Sequence, residues 1–360
     1  MIEFKTTLLF MLSRLSEQRT TSAAYHILRG KKSSQTIQDI HLFQLKFGFS
    51  TYPKLKKETY DIWINFFVDQ GIIEKTNKSF RLTTKGLNVV EQIEINIFSK
   101  LNGFKFHRID EKWLASLQLL TQTLSNLSYS NNRFIPVQDD PVVQYQVKKL
   151  LKMQSKEKLT IQLKQELTQL LLKLNEADAR LFVVQLTGHN RVGLSKRQVA
   201  EMFHLHEEDV QLITMSIVHQ FLNDIQNNPQ QYQLLKQLIL EENHTSLTST
   251  AKKTYELLEK GFDLDKIERI RHLKTSTIQD HVVEIATQIE KFDITAFVDE
   301  STIKQVVQVI DQTQTRRLKT LMQHLNHSIS YFQLRLVLAK YQDYKASDYS
   351  YEPITRPSRS

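Results

Sequence analysis

Apolar positions along this chain recur mostly at the three-and-four spacing of amphipathic helices, and only briefly as the apolar runs expected of short strands. Residues 34–47, SQTIQDIHLFQLKF, place Ile37, Ile40, Phe43 or Leu45, and Phe47 on one face, with Ser33 or Ser34 available as N-cap and Gly48 as stop. After a turn containing Pro53, residues 54–70 set Leu55, Ile62, Trp63, Phe66 and Phe67 at helix spacing, and Gly71 follows at the C-terminal cap position. Behind it, Ile72 and Ile73, then Phe80 and Leu82, are β-type runs separated by Thr76-Asn77-Lys78. Helix, turn, helix and basic hairpin describe a winged helix, expected over residues 1–100.

Residues 88–127 read as helical with little periodicity, and SYSNNRFIPVQDDP (128–141) reads as a connector. From 142 to 175 a stripe including Leu150, Leu159, Leu163, Leu167, Leu170 and Leu174 predicts a long core helix with a break near Ser155. Residues 194–222 then form a helix-turn-helix pattern: Ser195 caps, Val199, Ala200 and Phe203 face inward, Leu205 fills the turn, and Val210, Ile213 and Ile217 continue. These segments make a central helical domain, 101–245.

A clearer helix-turn-helix pattern follows within 246–342. Gly261 ends one helix, Asp263 caps a second with Leu264, Ile267 and Ile270 inward, and Ser276 or Thr275 caps a third with Ile278, Val282 and Ile285 on one side. Two more helices are expected in 294–342, and 343–360 has too little aliphatic content to pack, so it is expected to be disordered. The fold class is therefore all-α in the main, with one small β-hairpin. Eight Gly and six Pro in 360 residues disfavour barrels, sandwiches and Gly-rich nucleotide folds.

Charge changes the picture by its distribution. The net +9 is carried as +7 in residues 1–90, 0 in 91–245, −1 in 246–290, −2 in 291–314 and +5 in 315–360. A nucleic-acid footprint is thus expected near the ends of the chain. The chain has no Cys, which excludes disulfides and Cys-based zinc sites and points to a reducing compartment. The opening MIEFKTTLLFMLSRL has only a five-residue apolar run and no cleavage pattern, and no stretch approaches a spanning helix. A cytoplasmic, nucleoid-associated protein without membrane contact is expected.

Catalytic signatures are weak. GHNRVGLS (188–195) has Leu194 where a phosphate-binding loop needs Lys, and reads as a loop before a capped helix. HLHEE (204–208) sets His204 and His206 at a spacing that points apart on a helix, so a turn is favoured over a metal site. Asp139-Asp140 and an isolated His281 are equally unspecific. The expectation is a protein that is not an enzyme, with no metal, no cofactor and no small-molecule substrate.

DNA contact has more support. Lys54, Lys56 and Lys57 open the presumed recognition helix, Lys75, Lys78 and Arg81 lie in the hairpin, and Arg29, Lys31 and Lys32 precede the first helix of the pair. The alternative is a protein-docking winged helix whose lysines only solvate it. In the C-terminal pattern Lys274, Thr275, Ser276 and Gln279 are outward, but Asp280 and Glu284 flank that face, so protein binding is at least as well supported there.

Residues 23–49, AAYHILRGKKSSQTIQDIHLFQLKFGF, together with STAKKTYELLEKG, TSTIQDHVVEIA and YFQLRLVLAK (331–340), resemble YpbB-like proteins, bacterial proteins encoded beside a RecQ-type helicase. The C-terminal block resembles the helicase helix-turn-helix module, with Arg271, Leu273, Thr277, Ile278 and His281 matching its R-x-L-x-x-x-T-I-x-x-H pattern. The resemblance implies a DNA-binding accessory factor that acts with a RecQ-type helicase in replication or repair. Its C-terminal contact face would comprise Arg271, Lys274, Thr275, Ser276, Thr277, Gln279 and His281, used chiefly for the helicase. A sequence-specific transcription regulator and a protein-only scaffold are the alternatives.

Overall fold

The computed structural model describes residues 2–76, 79–240, 247–289, 291–313 and 315–348. It is mainly α-helical, with one two-stranded sheet among those residues. The chain forms two compact units, one made of Met1–Ser16, Ala24–Gly30 and Lys46–His244, the other of Glu17–Ala23, Lys31–Leu45 and Thr245–Ser360.

In the first unit, helices Phe4–Leu15 and Lys57–Asp69 lead to strands Ile73–Lys75 and Phe80–Leu82, paired antiparallel with Ile73 opposite Leu82. The hairpin is anchored where Leu82 donates its N–H to Ser16 Oγ at 3.2 Å. Gly86 is required beneath it, because a Cβ there would lie 2.2 Å from the Ile72 carbonyl oxygen. The Lys57–Asp69 helix differs from the expected face in part: Tyr60, Ile64 and Phe67 are its buried residues, Trp63 and Phe66 are half-buried, and Ile62 is 68% exposed. Asp61 and Lys57 pair along the helix, which fixes that outward side.

The helix expected to precede it ends early and belongs elsewhere. Ser33 caps a helix of Ser34–Leu42, accepting the Thr36 N–H, and the chain then breaks at Gln44, which has φ 57°. Ile37, Ile40, Phe43 and Leu45 are all buried, but within the second unit, against helices Thr275–Gln288 and Tyr331–Asp348. An apolar stripe specifies that a helix is buried, not which partner buries it. The helix that enters the first unit ahead of Lys57–Asp69 is Ser22–Leu28, whose Ala24, Tyr25, Ile27 and Leu28 are buried.

The rest of the first unit is helical. Residues 88–127 resolve into Thr84–Glu91, a 3-10 segment Ile95–Lys100, Gly103–Phe106 and the long Asp110–Ser128 helix. At the core of that long helix, Trp113 is fully buried and donates its Nε1–H to the Leu235 carbonyl at 3.0 Å. The expected long helix of 142–175 is two, Pro141–Met153 and Lys156–Leu171, divided where Ser155 caps the second by accepting the Lys158 N–H. Buried Glu166 accepts the N–H groups of Leu234 and Leu235, at 3.0 and 2.9 Å, and so closes the start of the short Gln233–Gln237 helix.

In the second unit, Ser249–Glu259 and Thr275–Gln288 pack around Leu247, Ala251 and Ile285, with Tyr255, Leu258, Ile289 and Phe292 against that cluster. The last helix, Tyr331–Asp348, runs into the segment 343–360 that was expected to be disordered; the remainder of that segment, 349–360, lies outside the described residues.

Candidate nucleic-acid interface

Two helix-turn-helix elements share one local design. Lys196–Phe203 and Leu264–Arg271 each have eight residues, each ends at a His with left-handed backbone (His204, φ 55°; His272, φ 50°), and each continues through a Leu to the next helix, Glu207–Asn227 or Thr275–Gln288. In both, the Leu N–H returns to a carbonyl five residues back: Leu205 to Ala200 at 2.9 Å and Leu273 to Glu268 at 3.4 Å. The repeated His-Leu pair is the sequence signal of this turn. Spacing alone places a turn at 204–206 with Leu205 in it, but does not connect it with the His272-Leu273 pair; among the described residues no group of three His, Asp or Glu is placed to hold a metal.

The first of these turns faces the basic patch expected of the N-terminal domain. Lys54, Lys56 and Thr59 line a groove of about 660 Å³ together with Arg197, Glu201, His204, His206, Glu207 and Glu208. The His206 ring meets the Trp63 ring edge-on at 5.2 Å. Negative charge offsets positive charge there: Arg197 pairs with Glu201 at 3.2 Å, and the Tyr52 hydroxyl is pushed up to about 12, first by burial and then by Glu208 and Glu207.

Other residues of the expected patch are committed locally. Lys57 pairs with Asp61 and lies over the Tyr25 and Tyr60 rings; Arg81 pairs with Glu74; Lys75 reaches Asn65 Oδ1 at 3.5 Å. Arg29 donates to the Pro53 carbonyl and the Tyr25 hydroxyl, both at 3.1 Å. Lys31 and Lys32 are exposed but belong to the other unit, and Lys78 lies outside the described residues. Lys54 and Lys56 are exposed, while the outward side of the Lys57–Asp69 helix shows Glu58, Ile62, Asn65 and Asp69. That face carries Glu58 and Asp69 beside uncharged Ile62 and Asn65, so its positive charge is confined to the start of the helix.

The C-terminal element is arranged differently. The helix Thr275–Gln288 buries Ile278, Val282 and Ile285 and starts from Lys274 as N-cap, not from Thr275 or Ser276 as expected. Thr275 is occupied instead, donating its hydroxyl to Glu268 at 2.7 Å. Ile270, expected inward, is 46% exposed. The two acids expected to flank the face both have partners. Asp280 pairs with Arg335 at 2.5 Å, and Glu284 is buried, accepting the N–H and hydroxyl of Thr248 at 2.6 and 3.1 Å. Lys274, Thr275 and Ser276 are exposed at the helix start, with Thr277 and Gln279 half-buried behind them.

Two residues assigned to this face are structural. His281 is buried, its Nδ1 2.9 Å from Thr254 Oγ1, and Arg271 donates from Nη1 to the Thr250 carbonyl at 2.7 Å and to Thr254 Oγ1 at 2.6 Å. Thr254 can satisfy both by accepting from Arg271 and donating to a neutral His281. Burial, then the Arg271 charge, lowers the His281 pKa, which favours that neutral form. Through Thr254, His281 ties Thr275–Gln288 to Ser249–Glu259, and Arg271 ties Leu264–Arg271 to the same helix.

No helix among the described residues is long and apolar enough to cross a membrane. No solved structure matches the chain. Residues 250–338 match a family described as Helix-turn-helix domain. Over 347 residues, 94% of this chain and 97% of the relative, the sequence is 29% identical to Protein YpbB of Bacillus subtilis (strain 168). The chain is thus similar to YpbB over nearly its whole length and carries a helix-turn-helix domain near its C-terminal end.

Proposed function

We propose that the protein is a DNA-binding accessory factor that works with a RecQ-type helicase in replication or repair and has no motor activity of its own. The observation that carries the DNA part is the C-terminal helix start: Arg335 and Thr248 engage Asp280 and Glu284, and Lys274 and Ser276 are exposed on either side of Thr275, whose hydroxyl Glu268 holds. Short polar side chains and a Lys at a helix N-terminus suit a backbone-and-groove contact with duplex DNA. The helicase part is supported only by the resemblance of the chain's two ends. The acidic, partly apolar outward side of Lys57–Asp69 favours a second role for the N-terminal element, docking of a protein. This gives DNA to the C-terminal domain and the protein partner to the N-terminal element, the reverse of the charge-based expectation.

Fluorescence anisotropy with labelled duplex tests the first part. Lys274→Glu is expected to weaken duplex binding and flatten its salt dependence by about 0.9 log units per log unit of salt, the share of one phosphate contact. Lys54→Glu with Lys56→Glu is expected to change it much less, and the opposite ranking would refute the assignment. Co-precipitation with the neighbouring RecQ-type helicase, with nuclease-treated and untreated samples, tests the second. Capture that disappears with nuclease would leave a DNA binder without a helicase partner.

A further inference from the structure

The two loops set aside as connectors in the first unit meet. The Asp110–Ser128 helix ends at Tyr129, which is 70% exposed, and its ring stacks on the His189 ring with centroids 4.6 Å apart and planes 13° apart. His189 sits at the tip of a tight turn closed by the bridge between Gly188 and Arg191. That turn is fixed from below: the His189 N–H donates to Ser125 Oγ at 3.0 Å, and His189 Nδ1 lies 3.2 Å from Asn126 Oδ1. Asn131 also donates to Asn126 Oδ1, at 2.7 Å, and its own Oδ1 accepts the Arg133 N–H at 3.2 Å. Two loops distant in sequence are therefore held in register by polar contacts, with a flat aromatic pair on the surface.

The stack does little for the core, since Tyr129 leaves most of its surface in water. Each loop brings one arginine close in sequence to its ring, Arg133 after Tyr129 and Arg191 after His189, and the acids nearest to the two rings along the chain are Asp139 and Asp178. Arg133 and Arg191, both exposed, flank the ring pair along the chain. An ordered aromatic face on loops that also carry exposed arginines is the combination with which sequence-tolerant single-strand binders hold a base and its phosphates. A duplex keeps its bases stacked on one another and cannot use such a face.

We propose that Tyr129 and His189 form a stacking platform for one base of a single-stranded polynucleotide, with Arg133 and Arg191 on the adjoining phosphates. This site is separate from the helix-turn-helix contact and does not rest on the helicase pairing.

The test is anisotropy of the full chain with labelled oligo(dT), oligo(U) and a duplex. Tyr129→Ala is expected to weaken single-strand binding about five- to hundredfold, the size of one base stack, and to leave duplex binding unchanged. Tyr129→Phe should keep the affinity. Arg133→Ala with Arg191→Ala, which leaves the stack intact, should reduce the single-strand salt slope by about 0.7 for each phosphate no longer neutralised. The ratio of oligo(dT) to oligo(U) affinity identifies whether DNA or RNA is the preferred strand. Wild-type single-strand affinity in both the Tyr129→Ala and the double Arg variant overturns the proposal, as does a full chain that binds duplex but no single strand. Loss of duplex binding in Lys274→Glu with single-strand binding intact would separate this site from the helix-turn-helix contact.

Discussion

Arg271 is the residue at which motif and geometry disagree most sharply, and replacing it by Ala discriminates between them. Its Nη1 makes two hydrogen bonds, to the Thr250 carbonyl at 2.7 Å and to Thr254 Oγ1 at 2.6 Å. A bond to a charged donor contributes roughly 1.5–3 kcal/mol when buried. Both leave from one nitrogen of a half-buried side chain, so water recovers part of the loss, and about 2 kcal/mol in total is the expected cost. That corresponds to roughly a thirtyfold rise in the equilibrium for local opening. Hydrogen exchange of amides in 249–288 should show it as a drop in protection of that order, concentrated where the two helices meet. At low temperature the domain stays almost wholly folded, so duplex affinity should fall by no more than about twofold, the population effect being small. Arg271→Lys, whose ammonium can donate both bonds from one nitrogen but sits on a shorter side chain, should keep part of that protection. Wild-type exchange in Arg271→Ala with a duplex affinity lowered tenfold or more would make Arg271 a DNA contact and refute the structural role.

Two further outcomes follow from the same packing. Because the folded His281 pKa lies below its unfolded value of about 6.5, the unfolded chain binds the extra proton as pH falls; stability from this group is complete above about 6.5 and is lost as pH drops from there toward the folded value. Urea midpoints of the C-terminal domain's unfolding should therefore fall between about pH 7.5 and about pH 5.5, and His281→Asn should remove part of that slope; an unchanged slope would deny His281 the role. Trp113→Ala should cost about 3–5 kcal/mol, since the ring is fully buried and its Nε1–H serves the Leu235 carbonyl, whereas half-buried Trp63 should cost about 1–2 kcal/mol. Urea unfolding of the two variants ranks them, and the reverse order would contradict the burial.

The sequence by itself determined what is local. Caps at Ser33, Ser195 and Asp263 act within three residues of themselves, as does the break at Ser155, and the pairing of the strands at 73–82 follows their own apolar runs, so each was legible from spacing. The two helix-turn-helix elements were legible for the same reason, because the apolar faces and the turn Leu of each lie close together along the chain. What only the tertiary structure decided is which surface each face meets. Ser34–Leu42 has the stripe of a buried helix, yet it is sequestered in the unit of the C-terminal domain, and no periodicity encodes that choice. The functional faces depended on it even more. Asp280 and Glu284 look like outward acids until Arg335, 55 residues away, and Thr248, 36 residues away, engage them. Arg271 and His281 look outward until Thr254 draws both in. Tyr129 and His189 are two ordinary loop residues until Ser125 and Asn126 bring their rings together. In each case a polar side chain's availability is set by a partner distant in sequence, and hydrophobic patterning carries no record of polar pairing.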